Sequence, residues 1–322
     1  MPINSLLEVI NLTTTFPVDG GSLKAVDRVS FSLREGEILC LVGESGCGKS
    51  MTALSILRLV PEPGTITGGE LLFRGQDLMR LGNEEMRSIR GDRISMIFQE
   101  PMSALNPVFT VGEQVSEVLR YHRGMEPGAA MAATARLLKS AGISDSDRRV
   151  HDYPHQMSGG MQQRILIAMA MACEPDLIIA DEPTTALDVT VQAQILRLME
   201  TLIRERGKSL LLITHDLGVV AEVADRVCVM YAGVIVETAC VGELFADPLH
   251  PYTMGLMGSL PTPGRREYRS IPGAVPDLAA LPGGCRFHPR CTRAQRQCVE
   301  EEPDLVMRKG RGVRCHFPGK NG

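Results

Sequence analysis

The chain has 322 residues, 44% of them hydrophobic and 22% charged, with a formal net charge of -4 and a pI near 6.0. That composition is globular and large enough to bury a core without staples, and its acidic balance excludes a nucleic-acid binder held mainly by phosphate contacts. The absence of Trp, with only five Tyr, also excludes an aromatic platform for single strands. At the start of the chain, residues 1–10 lack the basic-then-apolar order of a signal peptide. The longest clean apolar run, 165–173, falls far short of the roughly 20 residues that a bilayer span needs. The expected setting is the cytoplasm, where disulfides are rare, so the nine cysteines must serve packing, reactivity or metal binding.

Up to about residue 247, short apolar runs alternate with helical patterns. Strands are predicted at 37–42, 93–98, 177–180 and 210–214, each β-rich and bounded by Gly, Asp or Glu. Continuous apolar strands separated by helices imply a parallel sheet covered on both faces. Between 106 and 156 the strand pattern vanishes, and 111–121 and 129–141 read as helices inserted into the α/β unit. The pair 226–231 and 234–237, straddling Ala232-Gly233, predicts an antiparallel edge. From 251 onward the composition changes: nine of the 20 prolines and four cysteines fall in this stretch, which reads as a small, loop-rich C-terminal extension.

Gly43-Glu44-Ser45-Gly46-Cys47-Gly48-Lys49-Ser50 matches G-x-x-x-x-G-K-[ST]. It follows the strand 37–42 and opens a helix through Leu59, the context this motif requires. Its glycines let the backbone curl so that several N–H groups point inward at phosphates, and the helix N-terminus adds partial positive charge. Lys49 should reach the β- and γ-phosphates, and the Ser50 hydroxyl should ligate Mg²⁺. Cys47 reads as a small residue that the loop tolerates rather than as a nucleophile. A second apolar strand ends in Asp181-Glu182. Asp181 can hold the Mg²⁺ shell, and Glu182, one step further, can orient or deprotonate an attacking water.

The next motif identifies a family. Met157-Ser158-Gly159-Gly160-Met161-Gln162-Gln163-Arg164 resembles the signature of ABC ATPases, usually Leu-Ser-Gly-Gly-Gln, and departs from it at Met157 and Met161. Ser158 should cap a helix starting near Gly159, aiming its N–H groups at an anion. Gln99 matches the family's Q-loop glutamine, Thr185-Ala186-Leu187-Asp188 its D-loop and His215 its switch histidine. Phe16 resembles the A-loop aromatic that stacks on adenine, with a merely buried Phe as the alternative. The run 98–107 and His250-Pro251-Tyr252-Thr253, with the cysteine-bearing tail, are similar to the oligopeptide and dipeptide importer branch, which also includes nickel, microcin and glutathione importers.

The resemblance implies an α/β fold: a P-loop NTPase (RecA-like) core with an antiparallel β subdomain and a helical insertion, plus the Cys-containing extension. The domains would be an ABC ATPase at 1–250, with its helical subdomain at about 106–160, and an importer-type extension at 251–322. ATP would be held by Phe16, by Gly43, Glu44, Ser45, Gly46, Cys47, Gly48, Lys49, Ser50 and Met51, and by Ser158, Gly159, Gly160 and Asp188. In the head-to-tail pair of ATPases, the phosphate loop of one subunit faces the Ser158 helix of the other. Mg²⁺ would be held by Ser50, Gln99 and Asp181, with Glu182, His215, Gln99 and Lys49 in catalytic roles. The implied partners are two transmembrane permease subunits, a second and paralogous ATPase subunit and, indirectly, an extracytoplasmic solute-binding protein, with no nucleic acid. The implied location is peripheral, on the cytoplasmic face of the inner membrane.

Cys285, Cys291, Cys298 and Cys315 are separated by gaps of five, six and sixteen residues. Four thiolates in a short cytoplasmic tail point to a tetrahedral metal site or an iron–sulfur cluster; zinc and free thiols stay open, and the branch resemblance favours [4Fe–4S]. His288 and His316 are either alternative zinc ligands or surface histidines. Cys40, Cys173, Cys228 and Cys240 read as core. Arg286, Arg290, Arg293 and Arg296 read as a solvated charged face in preference to a nucleic-acid knuckle.

Overall fold

A computed structural model describes residues 5–99, 104–185, 187–259, 271–308 and 310–319. Glu100, Pro101, Met102 and Ser103 of the importer-like run, and Ala186 of the D-loop match, lie outside the described residues. The strands, in chain order, are β1 (Ser5–Val18), β2 (Gly21–Arg34), β3 (Ile38–Val42), β4 (Thr65–Phe73), β5 (Gln76–Asp77), β6 (Ile94–Ile97), β7 (Leu177–Asp181), β8 (Ser209–Thr214), β9 (Arg226–Tyr231), β10 (Val234–Cys240), β11 (Val306–Arg308) and β12 (Arg311–Val313). The chain divides into two compact units.

The first unit comprises Met1–Leu33, Ile38–Met79 and Ile213–Gly322. In it β1 is flanked by β2 and β4 in a four-stranded sheet that ends on β5, and β1 runs antiparallel to β4 with Leu7 opposite Phe73 and Val9 opposite Leu71. The period-two burial of Val29, Phe31 and Leu33 on β2 gives this sheet one apolar face. A second set of strands runs in the order β11-β12-β10-β9-β3. Here β3 and β9 pair in parallel, and every residue of β3 is buried, as a strand covered on both faces requires. β9 and β10 form the expected antiparallel pair, but β10 extends to Cys240 and is not an edge, because β12 of the tail pairs with it.

The second unit comprises Arg34–Glu37 and Arg80–Leu212. β6 and β7 pair in parallel, with Ile94 opposite Leu177. The predicted insertion is helical, with Val111–Arg123 and Pro127–Ser140 each differing by only one or two residues from the sequence-based bounds. The first of these starts at a capping box: the Glu113 N–H donates to Thr110 Oγ1 (3.2 Å) and the Thr110 N–H to Glu113 Oε2 (2.7 Å). It stops at Gly124, whose φ of 62° suits a glycine. Val111, Val115, Leu138 and Ile165 join these helices to Gly159–Ala170 in one apolar cluster.

Three further expectations are corrected. The helix after the phosphate loop ends at Ile56, because Leu57 already serves as its C-cap. Cys240 is exposed at the end of β10, unlike the buried Cys40, Cys173 and Cys228. The four tail arginines do not form one solvated face. Arg286 and Arg290 are buried and ion-paired, Arg293 donates to the Gly319 carbonyl, and only Arg296 has a side chain as much as 90% exposed. Among the described residues, no helix is long and apolar enough to cross a membrane.

Candidate functional site

The phosphate loop lies in the first unit and leaves β3 at Gly43. A Cβ on Gly43 would come 2.2 Å from the Met230 carbonyl oxygen, and one on Gly48 would come 2.3 Å from that of Ala25. Gly48, with φ of 103°, leads into the helix Lys49–Ile56 and offers it no side-chain cap. The two glycines therefore permit close packing and a left-handed turn, and the first turn of the helix keeps its N–H groups clear of a capping side chain. Lys49 is buried, and its ammonium donates to the carbonyls of Gly43 (2.8 Å) and Glu44 (3.0 Å). Ser45 and Gly46 are exposed, while Ser50 and Met51 are half-buried. Burial raises the Cys47 thiol despite the lowering effect of Lys49, consistent with the non-nucleophilic reading of this residue.

Also in this unit, Phe16 on β1 is half-buried, and its ring occupies the space that a Cβ on Gly64 would need, 2.5 Å away. It is neither fully buried nor free of neighbours. His215 is exposed, just after β8. Its neighbour Asp216 caps the following helix by accepting from Gly218 N–H at 2.8 Å and Val219 N–H at 3.4 Å.

In the second unit, Asp181 ends β7 and is 5% exposed. Glu182 follows with φ of 45°, a left-handed conformation that costs a non-glycine residue about 1–3 kcal/mol. Its Oε2 accepts from Thr185 Oγ1 at 3.0 Å and from Gln99 Nε2 at 3.4 Å. The end of β7 thus places one carboxylate oxygen beside an amide and a hydroxyl. The signature helix Gly159–Ala170 is capped by Ser158, whose hydroxyl accepts from the Met161 N–H at 3.4 Å. A Cβ on Gly160 would meet Val191 Cγ1 at 2.8 Å. Asp188 caps the helix Val189–Glu205 by accepting from the Val191 N–H at 3.0 Å.

The four tail cysteines converge. Cys285, Cys291, Cys298 and Cys315 line one narrow cavity of about 10 Å³ with His250, His288 and His316. Burial raises the thiols of Cys285 and Cys291, and that of Cys315 to about 11. Four thiols around one space are a donor set suited to zinc or an iron–sulfur cluster. Among the described residues, however, no three His, Cys, Asp or Glu side chains stand close enough together to hold an ion. The donor chemistry fits such a centre and the spacing does not, so the geometry gives the cluster expectation no support.

Several residues to which the sequence reading gave no site role surround the phosphate loop. Arg290 donates to both carboxylate oxygens of Glu44, at 2.7 and 3.0 Å, and the Glu44 N–H donates to the Tyr252 hydroxyl at 2.9 Å. Arg286 ion-pairs with Asp27 and donates to the Ala232 carbonyl at 2.7 Å. Glu237, fully buried, accepts the N–H groups of Leu249 and His250, both at 2.8 Å. The sequence signals available were that Arg286 and Arg290 each adjoin a cysteine and that His250 and Tyr252 stand in the His250-Pro251-Tyr252-Thr253 run.

The family described as ABC transporter matches residues 26–185, and that described as Oligopeptide/dipeptide transporter, C-terminal region, matches residues 236–298. The chain is 49% identical to the oligopeptide transport ATP-binding protein AppD of Bacillus subtilis (strain 168), over 99% of each chain. It is 50% identical to OppD of the same organism, over 94% of this chain and 86% of OppD. Among solved structures it resembles the dimeric ATP-binding cassette MJ0796 in a post-hydrolysis state bound to ADP and Pi. The identity there is 31% and the TM-score 0.66, covering 73% of this chain and 98% of that one.

Proposed function

Because the chain belongs to the ABC transporter family and carries the C-terminal region of its oligopeptide/dipeptide branch, we propose that it is the ATP-hydrolysing subunit of an importer for di- or oligopeptides or a related small solute. The observation that carries this reading is the phosphate loop itself. A buried lysine is folded onto the loop carbonyls, and the helix behind it has no side-chain cap. An incoming triphosphate offers that ammonium better acceptors than two neutral carbonyls, and it offers the uncapped N–H groups a charge.

In this reading Gly43 through Met51 cradle the phosphates, and Phe16 stacks on the base. Ser50, Gln99 and Asp181 would hold Mg²⁺, which would supply positive charge to offset that of the phosphates. Glu182 orients a water and takes its proton as the oxygen attacks the γ-phosphorus. The bond to the β–γ bridging oxygen breaks, and ADP and phosphate are released. The hydrogen bonds from Gln99 and Thr185 fix the carboxylate for that task, and His215 contacts the γ-phosphate. Ser158, Gly159, Gly160 and Asp188 act on the nucleotide of a second, paralogous ATPase subunit. Two transmembrane permease subunits anchor the pair to the cytoplasmic face of the inner membrane, and a solute-binding protein delivers cargo outside.

The test is Glu182→Gln. We expect nucleotide binding to persist while turnover falls by about 10²–10⁴-fold, the usual contribution of a positioned base. Near wild-type hydrolysis by this variant, measured as phosphate release, would remove Glu182 from the role.

For the four cysteines we propose a structural metal centre, an iron–sulfur cluster in preference to zinc, on their donor chemistry alone, since the four thiols line one cavity at a spacing that would have to tighten to hold an ion. Iron, sulfide and zinc contents of anaerobically purified protein decide between the two, and the absence of all three leaves free thiols.

A further inference from the structure

The phosphate loop contains an acidic residue where an anion is to bind. Glu44 is the second residue of the loop, and its carboxylate carries the same sign of charge as an arriving triphosphate. Two side chains from the C-terminal part of the chain hold this residue. The Arg290 guanidinium forks onto both carboxylate oxygens (2.7 and 3.0 Å), an arrangement that a lysine cannot copy. Arg290 is itself fixed: its Nε donates to the Pro272 carbonyl at 2.9 Å and its Nη1 reaches the Tyr231 hydroxyl at 3.5 Å, with only 4% of the side chain exposed. The Tyr252 hydroxyl accepts the Glu44 N–H, and the Tyr252 ring, fully buried, packs 4.7 Å from that of Tyr231 and 5.4 Å from that of Phe287.

A second grip is indirect. Arg286 donates to the Ala232 carbonyl, and the next residue, Gly233, donates its N–H to the Cys47 carbonyl at 2.9 Å. The loop is therefore held from outside at Glu44 and Cys47, and from inside by Lys49 on the carbonyls of Gly43 and Glu44. Both arginines adjoin a cysteine of the tail: Arg286 follows Cys285 and Arg290 precedes Cys291.

We propose that the cysteine-bearing tail braces the phosphate loop for nucleotide binding, with Arg290 as the positioning residue that neutralises Glu44 and fixes its backbone. The inference rests on the nucleotide-binding reading of the loop given above. A curled loop binds phosphates only while several N–H groups converge, and each residue left free to move must be ordered at binding, at a cost in affinity. Without Arg290, the Glu44 carboxylate also faces the triphosphate uncompensated.

The test is a titration of the purified full-length chain with a fluorescent ATP analogue and Mg²⁺, for Arg290→Ala, Arg290→Lys, Glu44→Gln and the double variant Glu44→Gln/Arg290→Ala. Circular dichroism checks that each protein is folded. We expect Arg290→Ala to weaken binding at least tenfold and Arg290→Lys to lie between it and the wild type. The double variant should regain part of the loss, because no bare carboxylate remains. A purely structural ion pair would lower the melting temperature but leave the affinity of the folded protein unchanged, which overturns the proposal. Simple additivity of the two single effects overturns it as well. If Arg290→Ala does not fold, Arg290→Lys and Glu44→Gln carry the same comparison, and unchanged affinity in both refutes the brace. Lys49→Ala serves as the control. If Lys49→Ala binds normally, the nucleotide reading fails. If Lys49→Ala loses binding while Arg290→Ala keeps it, only the brace fails.

Discussion

Residues 43–50 owe their curl to backbone conformation and close packing, which Arg290, Tyr252 and Lys49 then fix, whereas residues 285–298 hold their shape through side chains that reach far along the chain. In the loop, Gly43 and Gly48 have no room for a Cβ, and Gly48 adopts a conformation suited to glycine. In the tail, helices and strands are short, and the order comes from Arg286 on Asp27, Arg290 on Glu44 and Arg293 on the Gly319 carbonyl. The two kinds of construction fail differently. A backbone-built site is damaged by added atoms, and a side-chain-built region by atoms taken away.

The largest effect on stability is expected from the tail. Arg286→Ala leaves Asp27, whose side chain is 3% exposed, with only the half-exposed Lys24 and Arg28 beside its charge. Breaking a buried pair from one side costs about 3–5 kcal/mol, and chemical denaturation should show a loss near the lower end of that range; a change below about 1 kcal/mol would mean that Lys24 and Arg28 hold the Asp27 charge on their own. The loop provides the counterpart. Gly43→Ala should cost about 3 kcal/mol, at the upper end of overpacking, because the clashing atom is a backbone carbonyl. Gly46→Ala, with φ of 78° but open space around it, should cost only about 1 kcal/mol. Equal melting temperatures for the two would remove close packing from the account.

A smaller effect follows pH. Burial, the dominant influence, pushes the His250 imidazole down to about 3 from an ordinary 6.5. Between these values the unfolded chain binds a proton that the folded chain excludes. Stability is therefore complete above about pH 6.5 and falls by about 1.4 kcal/mol per pH unit as the pH drops toward 3. His250→Asn keeps an acceptor for the Tyr252 N–H but cannot titrate, so its melting temperature should vary less with pH below 6.5 than that of the wild type; parallel curves would contradict the assignment. The smallest effect is Arg296→Ala. Its side chain is 90% exposed and, among the described residues, pairs with Glu300, one turn along. A change within about 0.5 kcal/mol is expected, and a larger one would show that the tail's outer surface also carries structure.

The same contrast explains what could be read in the sequence. The loop, the acidic strand end of β7, the signature helix and its Ser158 cap are local: spacing and residue type dictate them, and the structure bears out these elements to within a few residues. The parallel pairings of β3 with β9 and β6 with β7 follow from continuous apolar runs bounded by polar residues. In the long strands β1 and β2 the alternation is clear only over Val29, Phe31 and Leu33, and Asp27 is buried in a run of three with Ala25 and Val26 that breaks it. The tail was misread for a different reason. Arg286 and Arg290 meet partners 259 and 246 residues away, Asp27 and Glu44, and no periodicity or motif spans such distances. Four arginines in a short polar stretch look like a solvated face until the fold supplies the carboxylates.

The pairing of β12 with β10, Val313 opposite Glu237 and Gly312 opposite Thr238, has a consequence for solubility. Unpartnered, β10 would present a row of open N–H and C=O groups along a strand whose first six residues are all buried, Val234 through Ala239, and such an edge is a template for another chain to dock on. Shortening the protein ahead of β12 would convert an interior strand into an adhesive rim, so the far end of the chain guards against self-association.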